Sequence, residues 1–255
     1  MRKILPACFL ALLAGCCATR NRSEVCYTAS RPVSPPSGIV FVANGSGDFR
    51  TLSANLNQVI AEGSVPLQIE TFVWSHGYGR YLADHVDHAN HLAEGRRLAV
   101  QVAGYRQSCP GLRVYLVGHS AGCAVVLAAA ETLPPDSVDG IILLAPSVCV
   151  TYDLRPALRT ARGGIDVFHS DQDRVILGLG MQIVGTADRR CRTAAGQVGF
   201  TPAVVCPADS VLYYYRLRQH PWDHVAQWSG NDGGHYGSCR ASFLKACVLS
   251  LLAYD

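Results

Sequence analysis

The chain has 255 residues, of which 49% are hydrophobic and 16% charged, so it holds enough apolar material for the core of one folded domain. Its formal net charge is +3, both signs are scattered along the sequence, and no run of Lys or Arg indicates nucleic-acid binding. The high apolar fraction and the near absence of polar low-complexity stretches exclude a mainly disordered chain.

The N-terminus has the pattern of an export signal. A basic pair, Arg2 and Lys3, precedes an apolar run at residues 4–13 that is too short to span a bilayer as an ordinary transmembrane helix. The run leads into the sequence LAGC, which ends at Cys16 and resembles the bacterial lipobox, in which the cysteine is acylated. The resemblance implies a signal peptide at residues 1–15 and a protein that is exported to the bacterial cell envelope and held on the membrane surface by its lipid. An ordinary cleaved signal, with the cysteine there by chance, is the alternative.

Residues 16–38 are predicted to be a tether between the lipid and the folded domain. This segment is rich in proline and has few large apolar groups, a composition that resists both helix and strand. The folded domain is accordingly predicted at residues 39–255.

Cysteine usage agrees with an oxidising compartment. Of the 11 cysteines, Cys8 and Cys16 belong to the signal and lipobox, and export permits disulfides among the others. Two pairs lie close enough in sequence to form bridges, although spacing does not fix connectivity: Cys191 with Cys206, and Cys239 with Cys247. No CxxC pair occurs, which disfavours a zinc ribbon.

Strand-like and helix-like segments alternate from residue 39 onward. Short apolar runs predict strands at residues 39–43, 67–74, 113–117, 140–145, 165–169 and 211–217. Helical patterns lie at about residues 48–61, 82–105, 121–133 and 238–253. The alternation predicts an α/β fold with a mainly parallel central sheet of about six strands and helices on both faces. In such a sheet the carboxyl ends of the strands share one edge, where sites form.

Two segments after the second strand carry aromatic or histidine side chains. The loop at residues 74–79 either lines a pocket or packs as an aromatic loop, and the sequence does not separate the two. Further on, Asp84, His88 and His91 share one face of a predicted helix. That spacing is compatible with a metal site, but a polar helix face is the preferred interpretation, so no metal or other cofactor is predicted.

The third strand leads directly into Gly118-His119-Ser120-Ala121-Gly122, and a helix follows at once. This is the G-x-S-x-G motif in its strand–turn–helix context. Side chains at the two glycine positions would collide with the neighbouring strand and helix, and the tight turn lifts the serine hydroxyl above the sheet edge. With these residues the chain resembles the α/β-hydrolase superfamily, from about residue 39 to the end.

The resemblance implies a Ser-His-Asp triad with Ser120 as nucleophile. The acid is expected a few residues past the fifth strand, where Asp173 fits best and Asp171 is the close alternative. The base is expected to be His235, in a glycine-flanked loop before the last helix. Two nearby histidines look instead like packing or surface groups: His220 and His224.

The resemblance also implies an oxyanion hole. Its first donor is expected to be the backbone N–H of Ala121, which follows the nucleophile. The second comes from the loop after the first strand, where Asn44 replaces the histidine that is common in the superfamily. Ser46 is the predicted donor and Gly45 the alternative.

These residues predict a serine hydrolase that cleaves a carboxylic ester in the manner of an esterase or lipase, with a small-molecule or lipid ester as substrate. The segment at residues 148–164 is short, and the loop at residues 188–209 is the other candidate cover, so we expect a short lid or none. The rival interpretation is a non-catalytic envelope lipoprotein that uses a hydrolase-like fold for binding.

Overall fold

The computed structural model describes residues 36–253. The predicted signal peptide, Cys16 and the predicted tether up to residue 35 lie outside the described residues. None of the helices within residues 36–253 is long and apolar enough to cross a membrane.

A six-stranded, wholly parallel sheet forms the centre of the fold, in the order β2-β1-β3-β4-β5-β6. The predicted α/β fold class is therefore confirmed. Side chains alternate between the two faces of the sheet. Because both faces are covered, a strand such as β1 is buried along its whole length. The strands are β1 Gly38–Ala43, β2 Leu67–Thr71, β3 Arg113–His119, β4 Gly140–Leu144, β5 Ile165–His169 and β6 Leu217–Pro221.

Helices cover both faces of this sheet. One buried cluster joins the side chains of Ile39 and Phe41 to the helices that flank β3, and another joins Val40 and Val42 to α1 and the C-terminal helices. The helices are α1 Thr51–Glu62, α2 Tyr81–Val86, α3 His88–Ser108, α4 Gly122–Thr132, α5 Arg155–Thr160, α6 Met181–Val184, α7 Ala195–Val198, α8 Pro207–Arg216, α9 His224–Trp228, α10 Ala241–Phe243 and α11 Leu249–Ala253. Two π-helical segments, Arg174–Gly180 and Leu244–Val248, and a 3₁₀ turn, Gly237–Cys239, complete the set.

The prediction of a strand at residues 211–217 is wrong. Helix α8 occupies Pro207–Arg216, and β6 begins only at Leu217. Pro207 at the first helical position and the carboxylate of Asp209, which accepts two backbone N–H groups of the preceding turn, fix the start of this helix. The tyrosine run that suggested a strand is largely on the solvent side, with Tyr214 81% exposed.

The single helix predicted at residues 82–105 is two helices in the structure. The chain leaves the helical conformation at Asp87, whose side chain accepts the backbone N–H of Asn90 and so caps α3. The predicted C-terminal helix at residues 238–253 is likewise interrupted by a π-helical segment.

The described disulfide joins Cys149 to Cys191, with their Cα atoms 5.5 Å apart. It ties the loop before α7 to the chain just past β4, where the backbone N–H of Val150 also donates to Thr193. Neither pair suggested by spacing is formed: Cys191 is bonded to Cys149 instead of Cys206, and Cys239 and Cys247 are not bonded to each other. The other three members of those pairs are free in the structure: Cys206, Cys239 and Cys247.

Candidate active site

The turn after β3 holds Ser120 in a left-handed backbone conformation, with φ 54°. Its backbone N–H donates to the carbonyl of Leu144, the last residue of β4, at 3.0 Å. A Cβ at Gly118 would lie 2.9 Å from the Cα of Cys123, and a Cβ at Gly122 would overlap the carbonyl oxygen of Ala43. The close approach of strand and helix therefore requires both glycines of the motif.

Ser120, His235 and Asp173 form a continuous chain of hydrogen bonds. The Oγ of Ser120 lies 2.9 Å from Nε2 of His235, and Nδ1 of His235 lies 2.6 Å from Oδ2 of Asp173. All three residues are at least nine-tenths buried. The other carboxylate oxygen of Asp173 accepts the backbone N–H of Leu177 at 3.2 Å, which fixes the carboxylate's orientation. With a carboxylate at Nδ1, that nitrogen carries the ring proton and Nε2 accepts the serine hydroxyl.

The structure places the alternative residues elsewhere. Asp171 is exposed and accepts a hydrogen bond from the side chain of its neighbour Gln172. His220 pairs with Asp166 and stacks on Phe168, and His224 lies at the surface. Of the predicted acids and bases, only Asp173 and His235 meet at Ser120.

His119 is a site residue that the sequence analysis missed. It is 2% exposed, and its Nε2 lies 2.9 Å from the backbone carbonyl of His235. Burial lowers the pKa of His119 to about 3, so the ring is neutral at pH 7 and donates its Nε2 proton to that carbonyl. His119 therefore anchors the loop that carries His235. Its position inside the motif was visible in the sequence, but the direction of its side chain was not.

The buried histidines make stability depend on pH. Burial also lowers the pKa of His91, to about 4 from its usual 6.5. Below pH 6.5 the unfolded chain therefore binds protons that folded His91 and His119 do not. Their stabilisation is present in full above pH 6.5 and is lost as the pH falls towards 4. We expect the free energy of unfolding to drop by up to about 1.4 kcal/mol per pH unit for each histidine between pH 6 and pH 5.

Urea unfolding at pH 7, 6 and 5 measures this slope. A His91→Gln variant should show a shallower slope than the wild-type chain, whereas His224→Gln, at an exposed position, should leave the slope unchanged. Equal slopes in the wild type and His91→Gln would refute the assignment.

The loop after β1 lies beside Ser120. A Cβ at Gly45 would be 3.3 Å from the Cβ of Ser120, and Ser46 lines the same cavity as Ser120 and His235. Ala121 is fully buried directly after Ser120, and within residues 36–253 its backbone N–H donates to no other residue. Of the residues predicted to form the oxyanion hole, Ser46 thus shares the cavity with Ser120, and Ala121 follows Ser120 directly in the chain.

The histidine-rich stretch is not the polar surface face that the sequence favoured. Asp84 is wholly buried, and its carboxylate accepts the backbone N–H of Gly47 at 2.6 Å, the backbone N–H of His76 at 2.7 Å and Nδ1 of His76 at 2.8 Å. His91 is also buried and donates from Nε2 to the carbonyl of Asp84. Within residues 36–253 no group of three or more His, Cys, Asp or Glu side chains is arranged to hold a metal ion. The carboxylate instead fixes the loop next to Ser46.

The neighbouring loop at residues 74–79 packs against the same structure. Trp74 is buried and donates from its indole nitrogen to the carbonyl of Asn44 at 2.8 Å. Tyr78 contacts the ring of Phe49 edge to face. Of the two open interpretations, the packed loop describes this segment better.

Replacing Asp84 with alanine is expected to lower the free energy of unfolding by about 3 kcal/mol, because the donors it serves become buried without a partner. Urea denaturation measures the change. Asp171→Ala, which removes an exposed carboxylate, should leave the unfolding midpoint where it is in the wild type. A midpoint for Asp84→Ala equal to that of Asp171→Ala would show that the network contributes nothing.

A cavity of about 430 Å³ opens beside Ser120. The segment directly after Asp173 contributes five of its lining residues, whereas neither candidate cover, residues 148–164 or residues 188–209, contributes any. No large lid is present in the described residues. The lining is mainly apolar and contains no Asp or Glu: Ser46, Phe49, Tyr81, Leu82, His85, Ser120, Val175, Ile176, Gly180, Met181, Val184, His235 and Tyr236.

Comparison with curated proteins finds monoglyceride lipases. The human monoglyceride lipase is 28% identical over 131 residues, which are 46% of this chain and 38% of that protein. A monoglyceride lipase homolog of Monkeypox virus is 28% identical over 120 residues, 46% of this chain and 41% of that protein. The chain thus spans about two fifths of the length of the curated relatives it matches.

Similar solved structures include a lidless α/β serine hydrolase of Xanthomonas campestris (14% identity, TM-score 0.48, 87% of this chain and 83% of that chain covered). A Trichoderma reesei cutinase in complex with a phosphonate inhibitor has 20% identity and a TM-score of 0.42, with 56% of this chain and 65% of that chain covered. The family model described as serine aminopeptidase, S33, matches residues 35–176, more than half of the chain. The chain therefore belongs to this serine hydrolase family.

Proposed function

We propose that this protein is an esterase that cleaves carboxylic esters through an acyl-enzyme on Ser120. The observation that carries the proposal is the hydrogen-bonded chain from Ser120 through His235 to Asp173, which meets an apolar cavity at the serine hydroxyl. Nucleophilic catalysis requires a serine hydroxyl within hydrogen-bonding distance of a histidine that a third group orients, and these distances support the proposal.

In the first half-reaction the Oγ of Ser120 attacks the ester carbonyl carbon while its proton passes to Nε2 of His235. The backbone N–H groups of Ala121 and Ser46 donate to the oxyanion, and Asp173 stabilises the imidazolium. Collapse breaks the bond to the alcohol oxygen, which leaves with the proton from His235. A water molecule then attacks the acyl-enzyme by the same route and releases the carboxylic acid. These steps use side chains and backbone groups of the chain alone.

The cavity favours an ester over an N-terminal peptide, although the family's description names an aminopeptidase. An aminopeptidase needs an anionic or strongly accepting group to bind the substrate's ammonium group, and the lining residues include no Asp or Glu. Their aliphatic and aromatic side chains suit an acyl chain. The monoglyceride lipases among the relatives support the same substrate class.

We also propose that the protein is exported and anchored to the membrane of the bacterial cell envelope through acylated Cys16. This rests on the basic, apolar and LAGC sequence of the N-terminus. Metabolic labelling with radioactive palmitate tests it: the wild-type chain should incorporate label and Cys16→Ala should not. Equal incorporation by both would contradict the anchor.

A fluorophosphonate probe tests the proposed chemistry without knowledge of the substrate. The full chain should form a covalent adduct that mass spectrometry maps to Ser120, and Ser120→Ala should form none. A folded wild-type chain that is not labelled would leave the non-catalytic binding protein as the better interpretation. Side-by-side assays with a p-nitrophenyl ester and an amino acid p-nitroanilide test the substrate class, and faster turnover of the anilide would overturn the ester.

A further inference from the structure

The π-helical segment Arg174–Gly180 and helix α6 present a row of aliphatic side chains to solvent. Val175, Leu179 and Ile183 are 76%, 63% and 71% exposed, and their spacing of four residues places them on one side of a helical segment. Leu177 and Met181 on the other side are buried and hold the segment against the protein. Between Arg174 and Asp188 the sequence has no charged residue. The exposed row therefore lies in a segment that carries no charged side chain of its own.

Helix α2 adds further exposed apolar side chains beside the same cavity. Tyr81 and Leu82 are 60% and 59% exposed and at the same time line the cavity that contains Ser120. Val175, on the facing segment, is likewise both exposed and a lining residue. Exposed apolar side chains thus reach the cavity from two separate segments of the chain. Contiguous patches of this kind mark interaction surfaces.

Two arginines lie at the edge of the aliphatic row. The guanidinium of Arg189 donates to the carbonyl of Val184, and that of Arg192 donates to the carbonyl of Gln182, so both contact the last turn of α6 beside Ile183. Both are exposed, whereas Asp188, the acidic residue nearest in sequence, is buried. An apolar surface bordered by cationic side chains complements a bilayer whose acyl region is rimmed by anionic headgroups.

We infer that this docking face, formed by Tyr81, Leu82, Val175, Leu179 and Ile183 with Arg189 and Arg192 at its edge, binds the surface of an anionic lipid bilayer. Four exposed aliphatic side chains and the ring of Tyr81 suit a fluid apolar phase, and the two arginines suit the phosphate groups at its edge. The cavity mouth is then turned towards the bilayer. The inference depends neither on acylation of Cys16 nor on the proposed esterase activity, because it concerns binding by the folded domain.

Tryptophan scanning tests which surface enters the bilayer. The full chain carrying Cys16→Ser and Ser120→Ala is prepared with Leu179→Trp, and a matched protein with Val100→Trp, an exposed valine of α3 (73%) outside the docking face. Vesicles of phosphatidylcholine and phosphatidylglycerol with brominated acyl chains should quench the tryptophan at position 179 and not the one at position 100. Because both proteins share the N-terminal segment, that segment cannot produce the difference. Equal quenching at the two positions, or none, would overturn the inference.

Vesicle co-sedimentation gives the second measurement. A Leu179→Asp/Ile183→Asp variant should bind phosphatidylglycerol vesicles at least about tenfold more weakly than the parent, which is the same chain without these two substitutions, because two aliphatic side chains no longer enter the bilayer. Val100→Asp/Val211→Asp, two exposed valines elsewhere, should bind like the parent. Raising the salt to 1 M, or using phosphatidylcholine alone, should weaken parent binding. If the Leu179→Asp/Ile183→Asp variant instead converts a dimer into a monomer and leaves vesicle binding unchanged, the face pairs two copies of the chain and the inference is wrong.

Discussion

Replacing Ser120 with alanine should lower kcat/KM for a p-nitrophenyl ester by about 10⁵-fold or more, because the acyl-enzyme can no longer form. The small rate that remains would come from binding and the oxyanion donors acting on water. The loss should appear in kcat, since the hydroxyl is a small part of the apolar lining that we propose binds the acyl chain. Steady-state kinetics with active-site concentration taken from fluorophosphonate titration of the wild type measure the change.

The chain offers a matched control for this substitution. Ser147 is also fully buried, its Oγ has no hydrogen-bond partner within residues 36–253, and its backbone N–H donates to the carbonyl of Ser120. Ser147→Ala should therefore keep turnover within about twofold of the wild type, since no bond is lost. A folded Ser120→Ala protein that hydrolyses the ester at the wild-type rate would end the assignment of the nucleophile.

Changing Asp173 to asparagine is expected to lower kcat by about 10⁴-fold through the tautomer of His235. The asparagine oxygen can still accept the N–H of Leu177, which leaves the amide NH₂ facing Nδ1 of His235. Nδ1 must then accept a hydrogen bond from this NH₂ group, so the ring proton moves to Nε2. A protonated Nε2 can no longer accept the proton of Ser120. Steady-state assays of the variant and a crystal structure showing unchanged positions would separate this effect from misfolding.

Asp171→Asn is the control, because this carboxylate lies two residues earlier, is exposed and does not contact His235. Its turnover should stay within about twofold of the wild type, as for a surface substitution. If Asp173→Asn lowers kcat no more than Asp171→Asn does, the hydrogen bond between Asp173 and His235 does not contribute to catalysis.

The sequence was sufficient for five of the six strands of the sheet and for naming the three residues whose side chains meet in the structure. β3 is a continuous apolar run, and the motif that follows it has steric requirements that only its two glycines satisfy. The choice of Asp173 and His235 came from the order of motifs in the superfamily, since local spacing says nothing about side chains separated by 62 residues.

Structural features that depend on residues far away in the sequence could not be predicted from local sequence patterns. The tyrosine run of α8 has strand-like composition, but the helix start is decided by Pro207 and the Asp209 cap. The polarity of Asp84 suggested solvent, and only the fold shows three donors converging on it. Cys149 and Cys191 are 42 residues apart, and their pairing follows from the return of the loop to the end of β4.

The left-handed backbone at Ser120 has a consequence for protein engineering. A side chain in that conformation costs about 1–2 kcal/mol relative to glycine, which adopts it freely. Glycine at position 120 would therefore raise the free energy of unfolding, whereas the proposed chemistry requires serine there. Selection for thermal stability alone would favour glycine at this position and yield a more stable protein without the serine hydroxyl. Directed evolution of this protein should therefore keep Ser120 unchanged and look for stabilising substitutions at other positions.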